Sequence, residues 1–419
     1  RQAETSTAPA GPSETDIPEL ARPAATCDAL AKQWFLRNVL FLFYYPQRRL
    51  LRTVAAMVDV DTGTFVDRAR RRGRGAQSNV SGRFEATGRL DADDGWGSLG
   101  DLERFRTETQ IEHVRSIISR NDSPDISFDQ SINPYRGCEH GCIYCYARPG
   151  HAYLGHSPGL DFETKLYAKG NAADVLVSEL SKKGYVPKTI ALGAVTDPYQ
   201  PIERTYQLSR RILEVMEATS HPVGIVTKSH LVTRDIDILA RLARRNLVRV
   251  GISVTTLDAR VARLMEPRAA TPPRRLKAIE RLAEAGVPVT VMTAPIIPGL
   301  NDHEIEAILT AGRNAGAESA AYVLLRLPLE LKTLFREWLV ENFPDRANRV
   351  IQLVQSMHGG RDYRSEFGLR QRGSGPYAEM IAQRFRNTVR RLGLNQRRDS
   401  LRTDLFAPPV PEGGQLALF

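Results

Sequence analysis

From about Ile126 onward, short runs rich in β-branched residues alternate with longer stretches whose apolar positions recur every three or four residues. The short runs predict buried strands, and the longer stretches predict amphipathic helices. The predicted strands are Phe128–Asn133, Thr189–Gly193, Val223–Thr227, Val248–Val254, Val287–Thr293 and Ala320–Leu325. The predicted helices between them are Ala172–Lys183, Arg204–Thr219, Arg234–Asn246, Pro273–Ala285 and Asp302–Ala315. This alternation favours an α/β protein with a parallel sheet and right-handed crossovers.

Six such units predict a partial (β/α)6 TIM-type barrel with an N-terminal extension and a C-terminal helical segment. We expect residues 1–56 to be a disordered or non-native extension, because the first methionine is Met57 and the opening is rich in Ala, Pro, Ser and Thr. Residues 57–125 are expected to form a basic arm and lead-in, 126–327 the barrel core, 328–400 a helical region and 401–419 a flexible tail. The predicted helices of the C-terminal region are Leu329–Asn342, Asn348–Met357 and Tyr377–Leu392.

Charge points to a polyanionic partner. The formal net charge of the 419 residues is +10, which raises the local concentration of nucleic acid around a protein. The run from Arg68 to Gly75 is basic and rich in glycine, so we expect it to stay mobile or to lie on a polyanion. The alternative is a solvated arm on a basic enzyme that binds no nucleic acid.

Cysteine usage favours a reducing, cytoplasmic location. Of four cysteines, Cys27 is isolated and the others lie within eight residues, a spacing typical of ligands rather than of a disulfide framework. The apolar run Val39–Tyr45 is far shorter than the roughly 20 residues that a membrane span needs, so no membrane association is expected.

The three clustered cysteines, Cys138, Cys142 and Cys145, form a C-x3-C-x2-C motif in a loop after the first predicted strand. Three thiolates on a cubane cluster would leave one iron open for a substrate or cofactor. The alternative is a structural zinc site. In that case the fourth ligand would come from His140, His151 or His156.

With Tyr144 as its aromatic residue, this motif resembles the C-x3-C-x-aromatic-C hallmark of the radical S-adenosylmethionine (SAM) enzymes. The resemblance covers roughly residues 131–325 and is greatest to spore photoproduct lyases and their bacterial relatives. It implies a 4Fe-4S cluster whose open iron binds the amino and carboxylate groups of SAM. It also implies reductive cleavage of SAM to a 5′-deoxyadenosyl radical, with a reductant such as flavodoxin or ferredoxin as electron donor.

The resemblance also implies cofactor contacts at the strand ends. Thr196 and Asp197 follow the second predicted strand, where the superfamily contacts the SAM amino group, although Thr196 is equally suited to cap a helix. Lys228 is expected to neutralise the SAM carboxylate, the alternative being a surface lysine. Ser253 corresponds to a ribose or methionine contact.

The fifth predicted strand is followed by Ile296 and Ile297, which are expected to flank the adenine. The alternative is that this segment is only a turn, with Asn301 or Asp302 as a helix cap. One departure from the lyases is clear, because they use an additional cysteine as hydrogen donor and residues 126–327 contain only the three motif cysteines. Tyr199 is our candidate for a catalytic hydrogen donor in its place.

The chain ends in Gln415-Leu416-Ala417-Leu418-Phe419, which resembles the short peptide by which bacterial DNA-repair proteins bind the sliding clamp. Gly413 and Gly414 would tether it flexibly. The alternative is that this apolar end folds back on the protein itself.

The sequence therefore predicts a cytoplasmic radical SAM enzyme that acts on nucleic acid in a lyase-like DNA-repair reaction. Two alternatives remain open. One is a radical SAM enzyme that modifies a peptide, an RNA or a metabolite, and the other is a zinc-dependent nucleic-acid-binding protein without catalysis.

Overall fold

A computed structural model describes residues 60, 64–87, 102–396 and 400–409 of the chain. The predicted extension over residues 1–56 and the predicted clamp-binding peptide Gln415–Phe419 lie outside the described residues. The strands, in chain order, are β1 (Glu108–Glu112), β2 (Ile118–Arg120), β3 (Gln130–Ile132), β4 (Tyr135–Arg136), β5 (Lys165–Lys169), β6 (Ile190–Leu192), β7 (Val223–Thr227), β8 (Val248–Ser253), β9 (Val289–Ile296) and β10 (Ser319–Leu324).

The α-helices alternate with these strands and then continue beyond them. They are α1 (Asp161–Thr164), α2 (Ala172–Leu180), α3 (Glu203–Tyr206), α4 (Leu208–Ala218), α5 (Ile236–Arg244), α6 (Ala259–Met265), α7 (Pro272–Glu284), α8 (Ile305–Asn314), α9 (Leu331–Asn342), α10 (Pro344–Ser356) and α11 (Pro376–Arg391). Short 3-10 helices cover Arg148–Leu154, His230–Asp235 and Asp302–Glu304.

The main sheet has the strand order β10-β9-β8-β7-β6-β3-β2. Every neighbouring pair from β3 to β10 is parallel, and β2 adds an antiparallel edge next to β3. Within the described residues no pairing joins β10 to the opposite edge. The sheet is therefore an open, partial barrel of six parallel strands, as the sequence predicts.

The alternating pattern works because each strand is buried and each helix buries one face. All three residues of β6 are buried, and in β8 only Arg249 is partly exposed. In α4 the side chains of Leu208, Ile212 and Met216 are buried at four-residue spacing. Burying each such side chain stabilises the folded state by roughly 1.5–3 kcal/mol, and this holds the helix against the sheet.

One predicted helix is divided in two. Arg204–Thr219 is predicted as a single helix, but α3 ends and α4 begins at Gln207, whose φ is +50°. The buried carboxylate of Glu203 accepts a hydrogen bond from Ser209 N at 3.0 Å, which satisfies an otherwise free donor at the start of α4. The helical spacing of apolar residues continues across the break, so the sequence pattern does not predict it.

The arginine-rich run from Arg68 to Gly75 is not the mobile arm that its composition predicts. Arg68 and Arg72 are exposed, but Arg71 and Arg74 are buried. Arg71 donates to Val66 O at 2.9 Å and pairs with Glu341 at 3.3 Å. Buried guanidinium groups with fixed acceptors make this run a docked part of the fold.

The C-terminal helices close the end of the molecule near β10. Trp338 of α9 is fully buried, and its indole N–H donates to Leu264 O at 3.0 Å. On α11, Phe385 packs against Tyr322 of β10 with ring centroids 4.6 Å apart. No helix in the described part of the chain combines the length and the apolar character needed to cross a membrane.

Candidate metal centre

The cysteine loop lies between β4 and the 3-10 helix Arg148–Leu154. Cys138 and Cys142 are buried, and Cys145 is partly exposed. Gly141 N donates to Cys138 O at 3.3 Å and Cys145 N donates to Cys142 O at 3.2 Å, so the loop coils in successive turns. The left-handed conformation of Gly141 (φ +67°) permits this coiling.

The chemistry of the three thiols suits a cationic iron–sulfur group. Burial raises the pKa of the Cys138 thiol well above its usual value, and the nearby charges of Asp197, Cys142 and Cys145 raise it further. Three thiolates so close together need positive charge to compensate them. A bound metal supplies that charge and deprotonates its thiol ligands, so the donor set fits a cluster held by Cys138, Cys142 and Cys145.

Arg148 supports the backbone of the cysteine loop. Its side chain is fully buried and donates to Cys142 O at 2.9 Å and to Gly141 O at 3.1 Å. It also forms an ion pair with the fully buried carboxylate of Glu163 at 2.6 Å. The backbone carbonyls that shape the loop are therefore fixed by one rigid, planar donor group.

Glu163 connects the loop to the N-terminal segment. Its carboxylate accepts hydrogen bonds from Gly75 N at 2.9 Å and Ala76 N at 2.8 Å. A Cβ atom on Gly75 would lie 1.9 Å from Gly141 O, so glycine is required where the two segments meet.

Tyr144, the aromatic residue of the motif, is buried and anchored at its hydroxyl. The hydroxyl donates to the Glu266 carboxylate and lies 3.3 Å from Thr255 Oγ1, just beyond the end of β8. Glu266 in turn pairs with the buried Arg275. The Tyr144 ring therefore spans from the cysteine loop to the strand ends.

Lys228 follows β7 and is directed toward the cysteine loop. Its Nζ lies 5.6 Å from the centroid of the Tyr144 ring. Burial raises the pKa of the Cys142 thiol, and the positive charge of Lys228 opposes that increase. The sequence analysis thus locates a lysine beside the thiols, while its contact with SAM remains a prediction.

Asp197 ties the strand ends to the cysteine loop. Its carboxylate accepts hydrogen bonds from Thr227 Oγ1 at 2.6 Å and from Lys228 N at 2.7 Å, and His140 Nδ1 lies 3.3 Å away. Burial would raise the pKa of Asp197, but His140 and the two donors lower it to about 2. Both oxygens are engaged by protein groups, so its contact with the SAM amino group remains a prediction.

Thr196 and Ser253 are buried at neighbouring strand ends. Thr196 Oγ1 donates to Tyr135 O at 3.0 Å, which holds the chain after β6 against β4. Ser253 is the last residue of β8, and its carbonyl accepts a hydrogen bond from Arg275 at 3.0 Å. These contacts are structural, and the predicted contacts of both residues with SAM stay predictions.

Ile296 and Ile297 have no exposed surface. Ile296 packs in the main core between the sheet and its helices, and Ile297 packs in a second core cluster, which includes Cys142, Tyr144 and Trp338. Asn301 accepts a hydrogen bond from Ile297 N at 2.6 Å and donates to Thr255 O at 2.8 Å. The turn that the sequence offers as an alternative is thus present, and the adenine contact stays a prediction.

Tyr199 is fully buried. Its hydroxyl donates to Asp235 Oδ2 at 3.1 Å, and burial together with the Asp235 charge raises its pKa well above the usual value. The structure therefore does not bring this hydroxyl together with the three thiols. A role for Tyr199 as hydrogen donor stays a prediction that none of its contacts supports.

The three histidines considered as zinc ligands have other neighbours. His156 Nε2 lies 2.6 Å from Tyr167 Oη, and His151 packs edge-on against Phe162. Among the residues that the structure describes, no three His, Cys, Asp or Glu side chains are grouped so as to hold one metal ion. A zinc ion needs ligands that converge on one point, whereas in a cubane cluster each of the three cysteines would hold a different iron.

Sequence reasoning missed two residues near the thiols. Tyr146 is 41% exposed, and burial of its hydroxyl together with the adjacent Cys145 raises its pKa to about 12. Its hydroxyl donates to Ala194 O, and the Arg326 guanidinium carbon lies 4.6 Å from its ring centroid. Tyr146 directly follows the last motif cysteine, and Arg326 follows the last predicted strand. These positions are the signals that could have identified them.

Comparisons with known proteins agree with this geometry. The profile of the Radical SAM superfamily matches residues 132–311. An uncharacterized protein of Mycobacterium tuberculosis is 36% identical over 232 residues, which cover 55% of this chain and 68% of that protein. An uncharacterized protein of Methanocaldococcus jannaschii is 29% identical over 219 residues, covering 51% of this chain and 76% of the other.

Solved structures of spore photoproduct lyase share the fold. A cysteine-to-serine variant aligns with a TM-score of 0.51 at 17% identity, over 68% of this chain and 80% of the lyase. The matched superfamily segment contains the cysteine loop and four of the six parallel barrel strands, β6 to β9. Proteins of this superfamily are enzymes that use a 4Fe-4S cluster and SAM, and the thiols of the cysteine loop fit such a cluster. The chain belongs to the radical SAM superfamily.

Proposed function

We propose that this radical SAM enzyme abstracts a hydrogen atom from a nucleic-acid strand, with damaged DNA as its substrate, in a lyase-like repair reaction. One observation supports the proposed radical chemistry. The loop that contains the three cysteines is fixed by Arg148 and lies beside the strand ends of a partial barrel. When bound, the cluster and SAM supply the 5′-deoxyadenosyl radical.

Different residues of the chain would hold the cluster, bind SAM and exclude water. Cys138, Cys142 and Cys145 would hold the iron. Lys228 would hold the SAM carboxylate by a charge-assisted hydrogen bond. Asp197 fixes the backbone of Lys228 in position. The buried surfaces of Ile296 and Ile297 would help exclude water from the radical.

Two observations support a nucleic-acid substrate. The net charge of +10 favours polyanions. A spore photoproduct lyase of the same fold was solved in complex with dinucleoside spore photoproduct, at a TM-score of 0.50 and 17% identity to this chain. Since residues 126–327 contain no cysteine beyond the three of the motif, we propose that any hydrogen donor of the protein is a tyrosine, with Tyr146 better placed than Tyr199.

Anaerobic purification and reconstitution test the chemistry. We expect about four irons per chain and 5′-deoxyadenosine after reduction in the presence of SAM. Both signals should be lost in Cys138→Ala, Cys142→Ala and Cys145→Ala, and kept in the control Cys27→Ala. A colourless protein that binds zinc and leaves SAM intact would overturn the proposal.

A second assay tests the substrate. Ultraviolet-damaged DNA should increase the rate of 5′-deoxyadenosine formation and lose its lesions, while undamaged DNA of the same sequence should not increase the rate. If an RNA, a peptide or a small metabolite gives this increase and damaged DNA does not, the alternative radical SAM function replaces the DNA proposal.

The proposed electron donor is a flavodoxin or ferredoxin, consistent with a cytoplasmic location. Reduced flavodoxin should replace the chemical reductant in the 5′-deoxyadenosine assay. A wild-type protein that turns over only with the chemical reductant would contradict this choice of partner.

A further inference from the structure

A basic cavity of about 640 Å³ lies beside the cysteine loop. This volume is within the usual range for ligand sites, roughly 300–1,000 Å³. Its walls come from four parts of the chain that are separated in sequence. They include Arg70, Arg72, Arg74, Arg104, Arg106 and Arg268, together with Phe105, Thr107 and Glu139.

The lining is strongly charged, since it contains six arginines and a single carboxylate. The carboxylate of Glu139 is engaged by Arg268 at 2.7 Å and by Thr107 Oγ1 at 2.8 Å. Within the described residues, Arg72, Arg104 and Arg106 form no ion pair, and the buried Nε of Arg74 has no hydrogen-bond partner. Among the residues that the structure describes, the positive charge in this cavity therefore exceeds the negative charge that pairs with it.

The cavity is held rigidly against the cysteine loop. Arg74 donates to Phe105 O at 3.1 Å and to Glu163 O at 3.0 Å, so the two arginine segments share one anchor. Glu139 directly follows Cys138, and Arg268 N donates to His140 O at 3.2 Å. One wall of the cavity is thus the loop that would carry the cluster.

The geometry points to a binding site for the phosphodiester backbone of a nucleic-acid strand in this cavity, with Arg72, Arg104 and Arg106 as the phosphate contacts. The planar, forked guanidinium groups of these arginines suit phosphate oxygens. The site rests on the proposed nucleic-acid function and adds to it the surface that would bring the strand to the cysteine loop.

The test compares two triple variants of the reconstituted, full-length protein. R72Q/R104Q/R106Q removes three cavity charges, and R386Q/R390Q/R391Q removes three exposed charges from α11. Binding of a fluorescent single-stranded DNA, and of an RNA of the same sequence, is measured by anisotropy from low to high salt. Formation of 5′-deoxyadenosine without substrate is measured in parallel.

We expect the cavity variant to bind roughly tenfold or more weakly. The slope of log affinity against log salt should fall in magnitude by about 2, because each lost phosphate contact removes about 0.7. The α11 variant should keep nearly the wild-type slope, and both variants should still form 5′-deoxyadenosine. Loss with DNA only, or with RNA only, identifies which strand the site takes.

Two other outcomes overturn the proposal in different ways. If wild type binds nucleic acid but the cavity variant retains its affinity and salt slope, the site is wrong and the nucleic-acid function stands. If wild type binds neither DNA nor RNA while it cleaves SAM, both the site and the nucleic-acid substrate are wrong.

Discussion

Arg148 is the residue on which the shape of the cysteine loop most depends. In Arg148→Met the buried Glu163 carboxylate loses its ion-pair partner, and the loop carbonyls lose their donors. Breaking a buried pair on one side costs about 3–5 kcal/mol. We expect a decrease of that size in the free energy of unfolding, measured by urea denaturation of the metal-free protein, and poor iron retention after reconstitution.

The matched control is Arg136→Met. Arg136 also forms an arginine–carboxylate pair, with Glu112 at 2.8 Å, but its side chain is 44% exposed. Exposed pairs contribute only about 0–1 kcal/mol. If the free energy of unfolding and the iron content fall equally in both variants, Arg148 has no special role in supporting the cysteine loop.

Lys228 makes a prediction about SAM rather than about iron. Its Nζ lies over the ring of Tyr144, beside the thiols. In Lys228→Met we expect SAM to bind roughly 10- to 100-fold more weakly, since a hydrogen bond to a charged group contributes about 1.5–3 kcal/mol. Iron content should be unchanged. Equilibrium dialysis of SAM against reconstituted protein measures the effect.

The control for this variant is Lys188→Met, because Lys188 pairs with Asp129 and is half exposed. Weak SAM binding in both variants would indicate a general effect of charge. If Lys228→Met binds SAM as tightly as wild type does, this lysine does not contact the cofactor.

Among the elements, the N-terminal segment 64–87 has an unexpected place, since it packs on the cysteine loop through Gly75. In Gly75→Ala the new Cβ collides with Gly141 O, so the segment or the loop must shift. Overpacking of this kind typically costs about 1–3 kcal/mol. We expect a lower unfolding temperature and faster loss of iron to a chelator than in wild type.

Gly150→Ala provides the comparison, because a Cβ there meets no atom within 4 Å. It should retain iron as wild type does. Equal rates of iron loss in the two alanine variants would show that the segment does not support the loop.

The start of β7 carries a pH-dependent contact. His221 is fully buried, with Nε2 2.8 Å from Tyr185 Oη, and burial lowers its pKa from 6.5 to about 4. As pH falls below 6.5, the unfolded chain binds a proton that the folded protein does not. Stability should therefore decrease by about 3 kcal/mol between pH 6.5 and 4.

His221→Gln should remove that part of the pH dependence. Tyr185→Phe should keep it, since the imidazole still titrates, while lowering stability across the range. Urea denaturation of the metal-free proteins at pH 7, 5.5 and 4 measures both. If the pH dependence is the same in His221→Gln and wild type, this histidine does not control acid stability.

The strands could be predicted closely because a parallel sheet is buried on both faces, so each strand is a short apolar run between helices. The strand Val223–Thr227 has the bounds that the sequence predicts, and the motif of the three cysteines is recognisable from its spacing alone. The supports of the loop could not be found in this way. Arg148 and Glu163 look like ordinary surface residues until the fold buries them together, and the docking of Gly75 depends on a contact across 66 positions.

At the scale of the whole molecule, three regions converge on one loop. The barrel contributes Asp197 and Lys228, the N-terminal segment contributes Gly75, and the second core cluster joins the loop to α9 and α10 through Cys142 and Trp338. The cysteine loop is therefore not an appendage of the barrel. Destabilising substitutions in any of the three regions should therefore cause loss of iron before they unfold the sheet.

The last residues of the chain predict a partner for the whole molecule. Gln415, Leu416, Leu418 and Phe419 resemble a clamp-binding peptide, and Gly413-Gly414 would let it reach away from the barrel. Three apolar side chains and one polar residue suit a shallow hydrophobic groove. We expect a chain shortened by residues 415–419 to lose binding to the purified bacterial sliding clamp in a pull-down, while iron content and SAM cleavage stay at wild-type levels. Leu418→Ala with Phe419→Ala should reproduce the loss, and Glu412→Gln should not. Clamp binding that survives the truncation would instead favour an apolar end that packs against its own protein.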